Sequence, residues 1–514
     1  MLINHFLENS AQKYPDKLAV WFQNHWSTYA EIDSLANRLA NYLIENNVKP
    51  GDRVAILYEN SVDYIISYFA ILKAGAITVA LNTDTTSDSL IYALNDSGAK
   101  AIITNKKYDR YLIPAIRNTA DLKNVITAQE DMSAYEETGR RCICLQDIYG
   151  QGDDSFPGAQ CADVDAASIV YTSGSSGKPK GVTLSHLNVV SNTLSIAQYL
   201  ELTETDRIMV VLPFYYIYGQ SLLTTHFYIG GSVVVDNRFT FPQVILQTMQ
   251  KNEVTGFSGV PSTFMILLNK SAVRKFTFDK LRYVTQAGGA MAPAIQQETA
   301  KVFAPAKLYI MYGTTEASPR LSYVEPEMLS NKWGSIGRPI PNVEMFIVDD
   351  KGQKLPANTV GEIVACGPNI MMGYWNDPAG TAEVLKNGLY YTGDLGQMDE
   401  DGYFYIVGRS KDIIKSGGFR LSPKEIEEAL LSIEGVFEVA VIGAQDEILG
   451  EAIKAYIVTN GSTTEITEDT IRKSLANLLP PYKHPKYIEF RTQLPKNKSG
   501  KIMKTELKKE LLES

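Results

Sequence analysis

Three glycines, four Ser and Thr hydroxyls and two lysines crowd into the stretch Tyr171 to Val182, which reads YTSGSSGKPKGV. Glycines let successive backbone N–H groups converge on one anion, hydroxyls add donors, and a lysine supplies counter-charge, so the chemistry this composition suits is the holding of phosphate. It is not a Walker A loop. Only two residues separate Gly174 from Gly177, and proline follows Lys178 where Ser or Thr should ligate magnesium. SGSSG alone would also suit a flexible surface turn. The flanks argue for a built site: Ser168-Ile-Val-Tyr171 reads as a strand, and Val182-Thr-Leu184 leads into a helix.

Other chemistry-bearing residues sit in short motifs that are weak singly and informative in order. After the glycine-rich stretch come LPFYYIYG (Leu212 to Gly219), AGGA (Ala287 to Ala290), MYGTTEAS (Met311 to Ser318), YYTGDLG (Tyr390 to Gly396), GRSKDIIKSGGFRLSPKEIE (Gly408 to Glu427) and LPKNKSGKI (Leu494 to Ile502). In sequence and order this series resembles the ANL superfamily of acyl- and aryl-CoA synthetases, peptide-synthetase adenylation domains and firefly-type luciferases. The resemblance covers nearly the whole chain.

That resemblance implies a two-step ligase with ATP and CoA as substrates and Mg2+ as cofactor. A carboxylate attacks the α-phosphate of ATP to give an acyl-adenylate and pyrophosphate, then a thiol displaces AMP. An anionic nucleophile approaching a polyphosphate pays about 4 kcal/mol for even one pair of like charges ~4 Å apart at an effective dielectric of about 20, so cations and aligned donors must surround the site. By motif matching, Thr172, Ser173, Gly174, Ser175, Ser176, Gly177 and Lys180 hold the β- and γ-phosphates. Thr315 contacts the α-phosphate beside Thr314, and Glu316 ligates magnesium. Gly288, Gly289, Ala290, Tyr312 and Gly313 resemble the adenine site, with the Tyr312 face stacking on the base. Asp394 is the expected ribose ligand, since a carboxylate accepts from both hydroxyls, and Arg409 reaches the ribose or phosphates.

The same resemblance makes Lys501 the catalytic lysine, inserted between carboxylate and α-phosphate. Lys501 lies far from the phosphate stretch in sequence, so the chemistry requires two domains to close. Lys411 occupies the hinge position for a second closed arrangement used in thioester formation. Gly417 and Gly418 would line a narrow tunnel for the thiol.

No aspartate occurs from Leu212 to Gly219 to bind an α-amino group, which disfavours an amino acid, because a buried ammonium without an anion is costly. Tyr216 sits where acyl and aryl ligases carry a gate to the carboxylate site. Gly313 stands where acetate-activating relatives have a pocket-closing tryptophan, which implies room for a medium or long acyl chain or an aryl acid. The extended insertion of fatty acyl-AMP ligases is not evident, which favours CoA as acceptor. The alternative is a stand-alone adenylation enzyme loading an acyl or amino acid onto a carrier-protein phosphopantetheine. His226 is expected to be a core residue rather than a lining of the acyl pocket.

The elements that must position these groups alternate as helix and strand, which predicts an α/β fold: a large multi-subdomain N-terminal α/β domain with a small mobile α+β C-terminal domain. Thr28 to Glu31 is a capping box opening a helix with a stripe of Ile32, Leu35, Leu39 and Leu43. Val54 to Leu57 reads as a buried strand, Ser61 as a cap for a helix ending at Gly75, and Ile77 to Leu81 as the next strand. Ser185 caps a helix expected to bury Leu187, Val190, Leu194 and Ala197. A boundary near Gly408 to Asp412 divides residues 1–409, binding AMP and the acyl substrate, from 410–514, where Ser422-Pro-Lys-Glu425 reads as a second capping box.

With 514 residues, 45% of them apolar, the chain has enough for more than one core. A net charge of −9 offers no general attraction to nucleic acid or anionic membrane. Nine basic against two acidic residues from Lys483 to Lys509 form a basic tail that could meet an acyl carrier protein. Four cysteines without CxxC spacing make neither a disulfide framework nor a zinc site, and a reducing, cytoplasmic setting is expected. The start, MLINHFLENSAQKYPDK, lacks a basic-then-apolar pattern, and no apolar stretch is long enough for a transmembrane helix.

Overall fold

The computed structural model describes residues 1–158, 160–172, 179–409, 412–416, 419–446, 448–459, 466–496 and 502–513. Among the described residues, two large sheets enclose a layer of helices. The first has nine strands, in the order Arg338–Pro339, Ser322–Val324, Lys307–Tyr312, Tyr283–Gln286, Gly256–Gly259, Arg207–Val210, Ser232–Val235, Leu18–Phe22 and His25–Thr28. The second has eight: Gly373–Tyr374, Lys180–Ser185, Ala166–Thr172, Ile77–Ala80, Arg53–Leu57, Ala101–Thr104, Asn124–Thr127 and Arg141–Cys144. Their inner strands are parallel, as the alternation of elements requires.

One core joins both sheets. Val20, Ile208 and Val233 from the first and Val54, Ile103 and Val170 from the second are fully or almost fully buried with Tyr29, Leu39, Phe69 and Phe227 of the intervening helices. The helix Tyr29–Glu45 starts where its local chemistry requires: Thr28 accepts from the Glu31 N–H and Glu31 returns a bond to the Thr28 N–H. Ser61 caps Val62–Lys73 through the Tyr64 N–H. Ser185 and Asn188 form the reciprocal box opening His186–Tyr199.

Two expectations change. Leu187 of that last helix is exposed, and its buried positions include Asn188, Asn192, Thr193 and Ser195. The helix is enclosed on several sides, and its polar residues reach main-chain partners: Asn188 donates to Pro368 O at 2.7 Å and Ser195 to Pro341 O at 2.9 Å. Ser422 does precede a helix with proline at its first position, Pro423–Leu431, but makes no cap bond; its hydroxyl donates to the Val407 carbonyl.

A smaller antiparallel sheet follows, from Glu344–Val348, Gly361–Cys366, Leu385–Lys386, Leu389–Met398 and Phe404–Arg409. The small C-terminal domain holds another, from Ile414–Ser416, Phe419–Leu421, Val436–Asp446, Gly450–Thr459 and Tyr487–Phe490. It has its own core of Ile426, Leu430, Val441, Ile457 and Leu475. Against the large domain it packs Met265 into a cluster with Phe437, Leu494 and Leu507, and Lys270 Nζ lies 4.7 Å from the Phe437 ring centre. No helix among the described residues is long and apolar enough to cross a membrane. The four cysteines are free thiols.

Candidate active site

The glycine-rich stretch joins neighbouring antiparallel strands. Ala166–Thr172 pairs with Lys180–Ser185, with Thr172 opposite Lys180, so the chain leaves the sheet and returns on the same rung. Thr172 Oγ1 lies 3.5 Å from the Lys180 carbonyl oxygen. Ser173, Gly174, Ser175, Ser176 and Gly177 lie outside the described residues. The Lys180 ammonium rests 3.3 Å from Asp377 Oδ2 and 4.5 Å from the centre of the Tyr374 ring. Asp377 also caps the helix Pro378–Val384 through the Gly380 N–H at 2.8 Å. That backbone bond, helped by Lys180, holds its carboxyl below the usual range.

Tyr374 reaches this position because Gly373–Tyr374 adds to the sheet edge beside Lys180–Ser185, with Tyr374 opposite Val182. Its hydroxyl donates to Glu316 Oε1 at 2.9 Å. Burial, reinforced by the Glu316 charge, pushes the Tyr374 phenol well up, so it remains a proton donor. The Glu316 carbonyl accepts from the Met371 N–H at 2.8 Å, which fixes the 3-10 turn Thr315–Ala317 to the same crossing segment. Thr314 donates to the Tyr390 hydroxyl at 3.1 Å. Tyr374 thus joins the lysine that ends one motif to the carboxylate of another. Nothing in MMGYW marked it for that role, since its position depends on strand pairing.

Parallel strands Tyr283–Gln286 and Lys307–Tyr312 end side by side, and their exits carry AGGA and YGTTE. The carboxyl ends of parallel strands are where α/β sheets place ligands. Gly288, Gly289 and Ala290 are exposed there, and Gly288 has a φ of 83°, a conformation that favours glycine. Gln286 Nε2 donates to Gly289 O at 2.9 Å and fastens this turn. The Tyr312 ring is buried among Ala317, Leu321, Ile363 and Tyr390. Its hydroxyl donates to Asp394 Oδ2 at 2.6 Å, while Arg409 Nε donates to Asp394 Oδ1 at 2.9 Å. Asp394 and Arg409 face each other across antiparallel strands. Burial and the Asp394 charge push the Tyr312 phenol far up, and Asp394 raises Arg409. The trio is a buried neutral phenol, a buried carboxylate and a half-exposed cation.

Around the acyl side, Tyr216 precedes the helix Ile217–Ile229, its ring centre 4.6 Å from that of Tyr215. A Cβ at Gly313 would stand 1.7 Å from the Pro319 carbonyl oxygen, so main chain already fills the position a side chain would take. The tryptophan argument therefore fails on backbone packing. His226 is a core residue. Nδ1 lies 2.9 Å from the Leu222 carbonyl, which only accepts, so Nδ1 carries the proton and Nε2 accepts from the Tyr283 hydroxyl at 3.0 Å. Burial lowers its pKa to about 4.

Lys411, Gly417, Gly418 and Lys501 lie outside the described residues. Ile502, beside the last of these, pairs with Lys496 and packs on the Phe437 cluster. Among the described residues no group of three or more His, Cys, Asp or Glu side chains could by itself hold a metal ion.

The chain is similar to known proteins over nearly its whole length. A family model described as AMP-binding enzyme matches residues 7–375, and one described as AMP-binding enzyme C-terminal domain matches 425–501. A long-chain-fatty-acid–CoA ligase of Bacillus subtilis (strain 168) is 32% identical over 100% of this chain and 95% of its own length. An oxalate–CoA ligase of Arabidopsis thaliana is 31% identical over 99% of each. The anthranilate CoA ligase AuaEII, solved with anthranoyl-AMP, superposes with a TM-score of 0.92 at 25% identity, covering 99% of this chain and 97% of that one. The chain belongs to the AMP-binding enzyme family, within the ANL superfamily, and is an AMP-forming acid–thiol ligase.

Proposed function

We propose that the chain activates a carboxylic acid larger than two or three carbons with ATP, releasing pyrophosphate, and transfers the acyl group from AMP to the thiol of CoA. The observation that carries this reading is the meeting at Asp394 of Tyr312 and Arg409, which draws three of the expected nucleotide residues from separate segments to one carboxylate. In this reading the ribose hydroxyls take over acceptor sites on Asp394, while Arg409 keeps its charge beside the phosphates. Lys180 exchanges Asp377 for the β- and γ-phosphates, to which residues 173–177 bring N–H and hydroxyl donors by composition. Thr315 donates to the α-phosphate.

Glu316 fits a Mg2+ ligand, because this ion is commonly held by one or two carboxylates with substrate phosphates completing its shell. The bound ion would neutralise phosphate charge. Tyr374 orients the carboxylate through Oε1. Lys501 cancels charge between the attacking carboxylate and the α-phosphate once 410–514 closes on 1–409. Lys411 is the hinge between this arrangement and the thioester-forming one, in which Gly417 and Gly418 admit the thiol.

The relatives named above are CoA ligases, which supports CoA over a carrier protein as acceptor. Their acids are a long-chain fatty acid, oxalate and anthranilate. A medium or long acyl chain or an aryl acid therefore rests on the long-chain-fatty-acid and anthranilate ligases, oxalate having only two carbons, and not on Gly313. The test is acid-dependent exchange of labelled pyrophosphate into ATP, with AMP release compared for CoA and a phosphopantetheinylated carrier. Exchange should appear with at least one fatty, aryl or dicarboxylic acid and fall at least 100-fold in Lys501→Ala with melting temperature unchanged. No exchange with any of these acids would overturn the reading.

A further inference from the structure

Two cationic side chains among the described residues are almost wholly enclosed, Lys73 and Arg320, each 2% exposed. Lys73 is satisfied: Asp33 Oδ1 and Asn37 Oδ1 lie at 2.7 Å and Glu8 Oε1 at 3.6 Å. Arg320 is not. It forms no ion pair with any described residue, and its buried Nε has no hydrogen-bond partner. One face of the guanidinium lies 4.9 Å from the centre of the Tyr218 ring, while the Tyr199 hydroxyl donates to Met311 Sδ at 3.0 Å.

The surroundings of Arg320 carry no counter-charge. With the polar Ser221, Thr225, Ser258 and Thr285 and the apolar Leu222 and Met311 it lines a small, largely enclosed cavity of about 10 Å3. That is room for little more than one small group. Burial keeps the phenols of Tyr199, Tyr218 and Tyr283 protonated and His226 uncharged. None of these neighbours can compensate the cation. Isolated charge in such a place is strongly disfavoured unless a partner arrives.

The cavity lies under the strand exits that carry AGGA and YGTTE, since Thr285 and Met311 on those two strands line it. Arg320 follows the Thr315–Ala317 turn, Tyr218 follows Tyr216, and Tyr218 OH lies 2.9 Å from Thr285 Oγ1 on the strand that leads into AGGA. An apolar chain end here would leave the guanidinium unpaired. An ammonium would meet a like charge. A carboxylate accepts from the guanidinium edge and from the surrounding hydroxyls together.

Resting on the ligase reading above, we propose that Arg320 receives a second carboxylate at the far end of the acid, so that the substrate is a dicarboxylic acid, aliphatic or aryl, adenylated at one end only. Neighbouring Ser258 and Thr285, whose hydroxyls lie 2.6 Å apart, supply further donors to that end.

The test compares pyrophosphate exchange on matched pairs, adipate with hexanoate, suberate with octanoate and terephthalate with benzoate, in the full-length protein and in Arg320→Met. The wild type should favour the best dicarboxylate over its partner at least 100-fold in kcat/KM. In Arg320→Met that preference should vanish, through loss on the dicarboxylate alone, while the melting temperature stays equal or rises because an unpaired buried cation is gone. Arg320→Lys should keep part of the preference. Equal or better use of monocarboxylates by the wild type, a preference that survives in Arg320→Met, or a lowered melting temperature with equal loss on both members of a pair would each overturn the proposal while leaving the ligase reading intact. Exchange with no acid at all would remove both.

Discussion

Tyr374 does at a single side chain what two motifs cannot do alone. Its ring lies under the Lys180 ammonium and its hydroxyl holds Glu316, so the cation proposed for the phosphates and the carboxylate proposed for the metal share one support. Tyr374→Phe keeps the ring and deletes one hydrogen bond to a charged group, an interaction of about 1.5 kcal/mol or more. The Mg2+ concentration for half-maximal exchange should rise about tenfold, with kcat at saturating Mg2+ little changed. An unaltered Mg2+ dependence would reduce Tyr374 to packing. At this scale the sequence yielded Glu316, Asp394 and Arg409 because each belongs to a short, ordered string. Tyr374 and Arg320 stayed hidden because their meaning comes from partners far along the chain: Tyr374 opposite Val182, Arg320 over Tyr218.

Helix starts were legible because a cap is a local contract between residues three apart, as at Thr28, Ser61 and Ser185. Ser422 read the same way and was claimed instead by the Val407 carbonyl, a tertiary partner no local pattern announces. The two helices packed beside the sheets also carry a pH response. His186, first in its helix, accepts the Ile3 N–H at Nδ1, and burial lowers the pKa of His186 and His226 to about 4 from an ordinary 6.5. The unfolded chain then binds more protons between those values, so stability is full above pH 6.5 and lost as pH falls toward 4. Between about pH 6.5 and 5 the loss is about 2 kcal/mol per histidine. Melting temperature should drop over that range, and His186→Asn should shrink the drop by about half. Strand exits are stricter still. Gly313→Ala brings a methyl onto the Pro319 carbonyl, so misfolding or a melting temperature lowered by several degrees is expected in place of altered acid selectivity.

Across the molecule, the alternation of helix and strand foretold the large α/β body and the smaller domain behind it, but not how they touch. The contact of Lys270 with Phe437, beside Met265, holds one arrangement of the two. If turnover requires the small domain to rotate, tying that contact must stop it. Lys270→Cys with Phe437→Cys, joined by a short cleavable dithiol-specific linker, should lose at least 100-fold in multiple-turnover thioester formation and recover when the linker is cut. The untied wild type, with its own four cysteines, serves as control. Full turnover in the tied protein would show that no such rotation is needed.

The ion pair of Lys180 with Asp377 bears on how a cycle ends as well as how it begins. A lysine that must let go of a departing polyanion does better with somewhere to go. Asp377, anchored on its own helix, offers an internal counter-ion for the ammonium, and under the proposed role of Lys180 it would help to expel pyrophosphate without waiting for solvent to screen the charge.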